Sequence, residues 1–185
     1  MENETIKGQD YTGIRLPFDR YEDCRFVNCV FAKSDLSSVD FVDCIFEDCD
    51  WSNAKLHHTG LKDVRFLNCK LLGLQFQDAN SFLLSLYFED CALNLASFYQ
   101  MKLKGIHFKN CVLQEVDFSE TDLTSAFFDN CDLNKAIFEA TLLEKANFIT
   151  AYNYSFRPEE NKIKKAQFSK EGIIGLLIHY NIVVK

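Results

Sequence analysis

The chain has 185 residues, 48% of them apolar and 25% charged, a length and balance that suit one globular domain and exclude a disordered chain. Its net charge of −7 argues against binding nucleic acid through a basic face. No apolar run nears the ~18 residues of a membrane span, and the polar, acidic opening MENETIKGQD is unlike a secretory signal, so the expected setting is cytoplasmic.

Residues 1–18 read as an N-terminal cap. Pro17 lies within it, and a proline cannot donate to a ladder and so suits an exposed sheet edge. From Tyr21 onward every fifth residue is large and apolar: Tyr21, Phe26, Phe31, Leu36, Phe41, Phe46, Trp51, Leu56, Leu61, Phe66, Leu71 and Phe76. The phase then slips by two residues around Asn80 to Phe82. It resumes as Leu83, Phe88, Leu93, Phe98 and onward to Phe148, with Phe strictly following Leu. A second apolar position lies two residues before each large one, and all eight cysteines fall there: Cys24, Cys29, Cys44, Cys49, Cys69, Cys91, Cys111 and Cys131.

Neither the helical period of 3.6 nor the strand period of 2 fits this pattern. A chain with two inward residues in every five must turn a corner every five. Four sides then close a square coil, and residues 20 apart stack at about 4.8 Å. The expectation is an all-β solenoid in which each coil touches only its neighbours. Twenty-six centres at four per coil make 6.5 coils, a rod about 31 Å long. The slip divides it into segments 19–78 and 79–168.

Past Phe148 the phase survives at Ile163 and Phe168, and residues 153–160 read as a loop. Ser169 suits a helix N-cap, a short helix is expected over 170–180, and Asn181 suits a left-handed C-cap. Ile182, Val183 and Val184 read as a strand. Segment 169–185 would thus be a terminal module. It carries more apolar side chains than one rod end needs, which implies a homodimer through Ile173, Ile174, Leu176, Leu177, Ile178, Tyr180 and Ile182.

The repeat resembles the pentapeptide-repeat family, with close matches at Ser34-Asp35-Leu36, Cys131-Asp132-Leu133 and Ala146-Asn147-Phe148. That resemblance implies a right-handed quadrilateral β-helix. Within the family the chain is similar to the Qnr (quinolone-resistance) type in three places. These are Asp10-Tyr-Thr-Gly13 leading into Phe26-Val-Asn-Cys29, the slip between Gln77 and Leu86, and the terminal module. Members of that type often carry two loops that project from the coils; the unbroken phase here leaves no room for them, so the loop-free members are the nearer match. The resemblance implies a DNA mimic that binds DNA gyrase or another type II topoisomerase, with no direct contact to nucleic acid. An interaction scaffold for an unrelated protein is the alternative.

Charge is consistent with a dilute mimic. Residues 1–157 carry net −9, against about 18 charges on 31 Å of duplex DNA. The candidate partner-binding residues are Asp23, Asp43, Asp63, Glu47 and Asp48. The first three are 20 apart and should form one exposed column. Since Arg25 and Arg65 lie near them in sequence, they also fit a solvated, compensated corner. The cysteines read as small core residues, neither paired nor metal-bound. No catalytic constellation, phosphate loop or cofactor motif is present in the sequence, and an enzyme is not expected.

Overall fold

A computed structural model describes residues 1–183. The backbone winds as a four-sided solenoid of about eight turns. Each pentapeptide is a small inward residue, an outward residue, a large inward residue, a second outward residue and a corner. In the pentapeptide Cys24 to Asn28 the cysteine and Phe26 are buried and Asn28 is exposed. The corner residue holds a positive φ almost throughout, as at Asp23 (50°), Asn28 (53°), Lys33 (57°) and Ser38 (61°). Asp and Asn tolerate this left-handed conformation better than other non-glycine residues. That is why they recur at corners such as 43, 48, 63, 68, 110 and 130.

One side is a nine-stranded parallel sheet running from Thr5–Lys7 through Arg25–Val27, Ile45–Glu47, Val64–Leu67, Leu86–Glu89, His107–Lys109, Phe127–Asp129 and Asn147–Phe148 to Gln167–Phe168. Partners are 20 apart (Phe26 with Phe46), except across the slip, where Phe66 pairs with Phe88. The preceding side begins as a three-stranded sheet of Arg20–Glu22, Asp40–Val42 and Gly60–Lys62. On the other two sides the backbone closes β-turns, as in Ser34 N–H to Phe31 C=O at 3.0 Å, with a positive φ at the third turn residue.

In the second half of the rod the core holds two columns of flat-stacked aromatic rings, with columns of leucine on the remaining sides. One runs through Phe66, Phe88, Phe108 and Phe128, with centroids 5.2 to 5.5 Å apart. The other runs through Phe76, Phe98, Phe118 and Phe138 at 4.6 to 5.4 Å. Rings of the two columns meet edge to face, Phe98 and Phe108 at 5.8 Å and 75°. Most of the small polar inward residues share one role, donating to the carbonyl of the large residue one coil earlier, whereas Ser34 Oγ donates to Phe31 O within its own coil. Thus Cys44 Sγ donates to Tyr21 O, Cys69 Sγ to Phe46 O, Thr59 Oγ1 to Leu36 O and Thr121 Oγ1 to Phe98 O. All eight cysteines are free and buried.

Three expectations are revised. Residues 1–18 are themselves a coil: Thr5–Lys7 pairs with Arg25–Val27, Leu16 is buried, and the Tyr11 ring stacks 5.2 Å from Phe31. Eight coils make the rod about 38 Å long. At the slip, Leu83 does not point inward. It is 66% exposed with φ 56°, and Leu84 packs on the core instead. The two extra residues widen one corner rather than shifting every later side chain. Finally, 170–180 is not one α-helix but two 3-10 turns, Gly172–Leu176 and Ile178–Tyr180. Two glycines make so short a helix unfavourable, and they let the chain pass close over Tyr154, whose carbonyl oxygen would lie 2.1 Å from a Cβ at Gly175. Ser169 Oγ accepts from the Gly172 N–H at 2.8 Å, and Asn181 takes the left-handed conformation. Ile182 and Val183 are not in a strand; Val184 lies outside the described residues.

Candidate functional site: an acidic edge and an aromatic row

Asp23, Asp43 and Asp63 occupy successive corners of one edge, between the three-stranded side and the nine-stranded side. Their φ angles are 50°, 50° and 51°. The corner N–H of Asp23 donates to Val42 O and that of Asp43 to Lys62 O, at 3.0 and 2.9 Å. All three side chains are exposed and, among the described residues, none takes part in an ion pair or a side-chain hydrogen bond. The two arginines expected to compensate them are engaged elsewhere. Arg25 is bonded to Glu47 through both Nε and Nη2, and the Arg65 guanidinium lies 4.8 Å over the Tyr87 ring. The neighbouring cations Arg20 and Lys62 both reach Asp40, each at 3.8 Å. The edge therefore presents three uncompensated carboxylates at coil spacing.

Glu47 and Asp48 do not join that edge. Glu47 lies on the nine-stranded side, held by Arg25. Asp48 is on the next edge, where Asn68 Nδ2 donates to its Oδ1 at 2.5 Å. The same edge continues with Asn110 donating to Asp90 and Asn130 to Asn110, at 2.9 and 3.0 Å. Stacked side-chain amides thus satisfy one another there, leaving few groups for a partner.

A second feature escaped the sequence reading. On the nine-stranded side Arg65, Tyr87, His107 and Phe127 pair in register and their side chains stack outward. Tyr87 and His107 are 5.9 Å apart, His107 and Phe127 5.3 Å. Beside them, Tyr87 Oη and Lys109 Nζ donate to Glu89, and His107 Nε2 lies 2.5 Å from Asp129 Oδ2. The signal was available: these residues follow one another at coil spacing immediately before the large inward residues.

In the terminal module Ile173, Ile174, Ile178, Tyr180 and Ile182 are exposed, Leu177 is half-buried and Leu176 is buried against the core. An open groove of about 990 Å³ lies between this module and the coil carrying Ile137 and Phe138. No group of three or more His, Cys, Asp or Glu side chains is placed to hold a metal among the described residues. Among the described residues no helix is long and apolar enough to cross a membrane.

A four-sided coil with a five-residue side, a small and a large inward residue per side and left-handed corners defines the quadrilateral β-helices. The pentapeptide repeat region model matches residues 20–82 and 81–168, and the chain belongs to the pentapeptide-repeat family. Its fold is that family's right-handed quadrilateral β-helix. Among solved structures it is similar to HetL, a pentapeptide repeat protein involved in heterocyst differentiation regulation from the cyanobacterium Nostoc sp. strain PCC 7120. The identity is 15%, with 91% of this chain and 86% of that chain covered and a TM-score of 0.61. It is also similar to a trypsin-treated variant of QnrB1, a plasmid-mediated fluoroquinolone resistance protein. That match has 19% identity, 100% and 99% coverage and a TM-score of 0.51. No curated protein matches the chain in sequence.

Proposed function

We propose that this protein is a non-catalytic binding rod whose acidic edge engages a basic, DNA-binding surface of another protein, with DNA gyrase or a related type II topoisomerase as the partner. The observation that carries this reading is the uncompensated column Asp23, Asp43, Asp63. Carboxylates at about 4.8 Å spacing offer a line of negative charge to side chains that otherwise contact phosphates. The rod is filled by aromatic rings, so binding rather than chemistry on a small substrate suits its shape. Self-association through Ile173, Ile174, Ile178, Tyr180 and Ile182 would pair two rods end to end and double the acidic length. The protein would act in the cytoplasm, where its thiols stay reduced.

The test is a gyrase supercoiling assay at low and moderate salt, with wild type beside Asp23→Lys, Asp43→Lys, Asp63→Lys in one chain. The reading requires inhibition by wild type that weakens with salt and is absent from the triple variant. No effect at micromolar protein would sink it. The outward row of half-buried Tyr87 and His107 with exposed Phe127 favours the second reading, a scaffold for an unrelated protein. That partner's binding would be weakened by Phe127→Ala and little changed by salt.

A further inference from the structure

The charges on the side that starts as the three-stranded sheet, with its acidic edge, are sorted along the rod. In the coils of residues 20–79 the outward and corner positions of this side hold Glu22, Asp23, Asp40, Asp43 and Asp63 against Arg20 and Lys62. From residue 102 to 165 the same positions hold Lys102, Lys104, Lys145, Lys162, Lys164 and Lys165 against Asp122 and Glu144. Of these lysines only Lys104 is in an ion pair among the described residues, with Asp122 at 3.5 Å. The acidic column Asp23, Asp43, Asp63 and the basic corners Lys145 and Lys165 lie on one edge of one face.

Between the two halves the backbone ladder is interrupted. The three-stranded sheet ends at Gly60–Lys62, Asn80 still bridges Gly60, and bridging resumes only with Lys102 and Asp122. In the gap Phe82 and Leu83 project outward, 65% and 66% exposed, with Lys62 Nζ 5.8 Å from the Phe82 ring. On the next coil, Gly105 leaves an open corner with nothing within 4 Å of its missing Cβ.

We propose that this face is an interface with a second copy of the chain, the two rods lying antiparallel, face to face. The symmetry follows from counting coils. A two-fold axis along the strand direction, between the coil of residues 80–101 and the coil of 102–121, sets the corners Asp23 and Asp43 against the corners Lys165 and Lys145. Asp23 then meets the partner rod's ninth, partial coil, where Lys165 stands. Asp43 meets the coil of Lys145, and Lys62 meets that of Asp122. Phe82 and Leu83 meet the coil that carries Lys102, Lys104 and the open corner at Gly105. Every contact occurs twice, as an isologous interface demands. A parallel arrangement would set like charges together. The contact covers the edge assigned above to a topoisomerase, so self-association and partner binding would compete. The inference does not depend on that assignment, because it rests equally on the lysine half.

The experiment is sedimentation velocity on the full chain at low and high salt. End-to-end pairing through the apolar terminal module would persist at both salts, so the face-to-face contact is read as a mass twice as large at low salt as at high salt, with a dissociation constant that rises about tenfold or more where exposed charges are screened. Lys145→Asp with Lys165→Asp should abolish the doubling. Adding Asp23→Lys and Asp43→Lys to that chain should restore it. Melting temperature verifies folding, and lysine already occupies left-handed corners at Lys33 and Lys135. Orientation is read by disulfide trapping, since the eight native thiols are buried. Asp63→Cys with Ser125→Cys should give a cross-linked dimer, and Asp63→Cys alone should not. A mass independent of salt, doubling that survives the lysine reversal, or cross-linking by Asp63→Cys alone would each overturn the proposal. The lysine variants leave the acidic edge intact, so a negative result here leaves the gyrase test standing.

Discussion

The Phe108 ring lies flat on the Phe88 ring, centroids 5.2 Å apart and planes 6° from parallel, although the two residues are 20 apart in sequence. Phe128 continues the stack at 5.5 Å and 9°. Removing the middle ring leaves a cavity between two coils that cannot collapse without bending the ladder. Phe108→Ala should therefore cost about 3–5 kcal/mol. Coils contact only their neighbours, so the loss should also uncouple the two ends and broaden the urea transition. An unchanged midpoint and slope would mean that the stack contributes nothing. Phe108→Asp, which buries a charge, should not fold.

Alkaline pH should destabilise the rod. Burial pushes the Cys44 thiol from 9.0 up to about 12. Cys91 and Cys111 are also raised to about 12, first through the adjacent thiols Cys111 and Cys131 in their column. Above pH 9 the unfolded chain therefore releases protons that the folded chain keeps. Stability is full below pH 9 and falls as pH rises toward 12, by about 1.4 kcal/mol per pH unit for each such thiol. Urea denaturation at pH 8, 9, 10 and 11 reads the slope directly. Cys44→Thr should reduce it by the share of one thiol while keeping a donor to the Tyr21 carbonyl. A wild-type profile level from pH 8 to 11 would contradict the account.

Leu95 is a leucine in a left-handed corner, φ 61° and 60% exposed. It bears a backbone cost without the return of burial. Leu95→Asn should raise stability by several tenths of a kcal/mol up to about 1. Calorimetry would show a higher melting temperature; a fall would mean that Leu95 covers something it does not touch in the isolated chain.

At Asp43 the demands of backbone and charge can be separated. Asp43→Asn keeps a residue suited to positive φ and removes the carboxylate. Asp43→Val keeps neither, and a β-branched side chain at this φ should cost about 1–2 kcal/mol. The triple change of Asp23, Asp43 and Asp63 to Asn should thus melt within about 1 kcal/mol of wild type yet lose gyrase inhibition. Retained inhibition would assign those aspartates to the backbone alone.

Much of the fold was legible because the repeat is local. A period of five with two inward residues admits one geometry, and every small site from Cys24 to Ala146 is buried as read. The first coil was missed because Ile6, Tyr11 and Leu16 follow the same period with weaker residues. Leu83 was misread because a two-residue insertion is absorbed at one corner, and a periodic count cannot say which residue turns out. The terminal module was read as a single helix because apolar density is the same for an α-helix and for two 3-10 turns. The tight passage over Tyr154 decides between them.

The acidic column was also placed by counting, since residues 20 apart must stack. Its lack of compensation was not. Arg25 is nearer in sequence to Asp23 than to Glu47, yet in space it bonds to Glu47 one coil away. Likewise Asp23 and Lys165 fall on one edge only because eight coils are wound above one another. The coil, its core and the places of its corners depend on chain geometry within one repeat, so a linear reading reaches them. Which charges neutralise each other, and which face carries both an acidic and a basic half, is set by the wound rod, because ion pairing and stacking join residues from different coils.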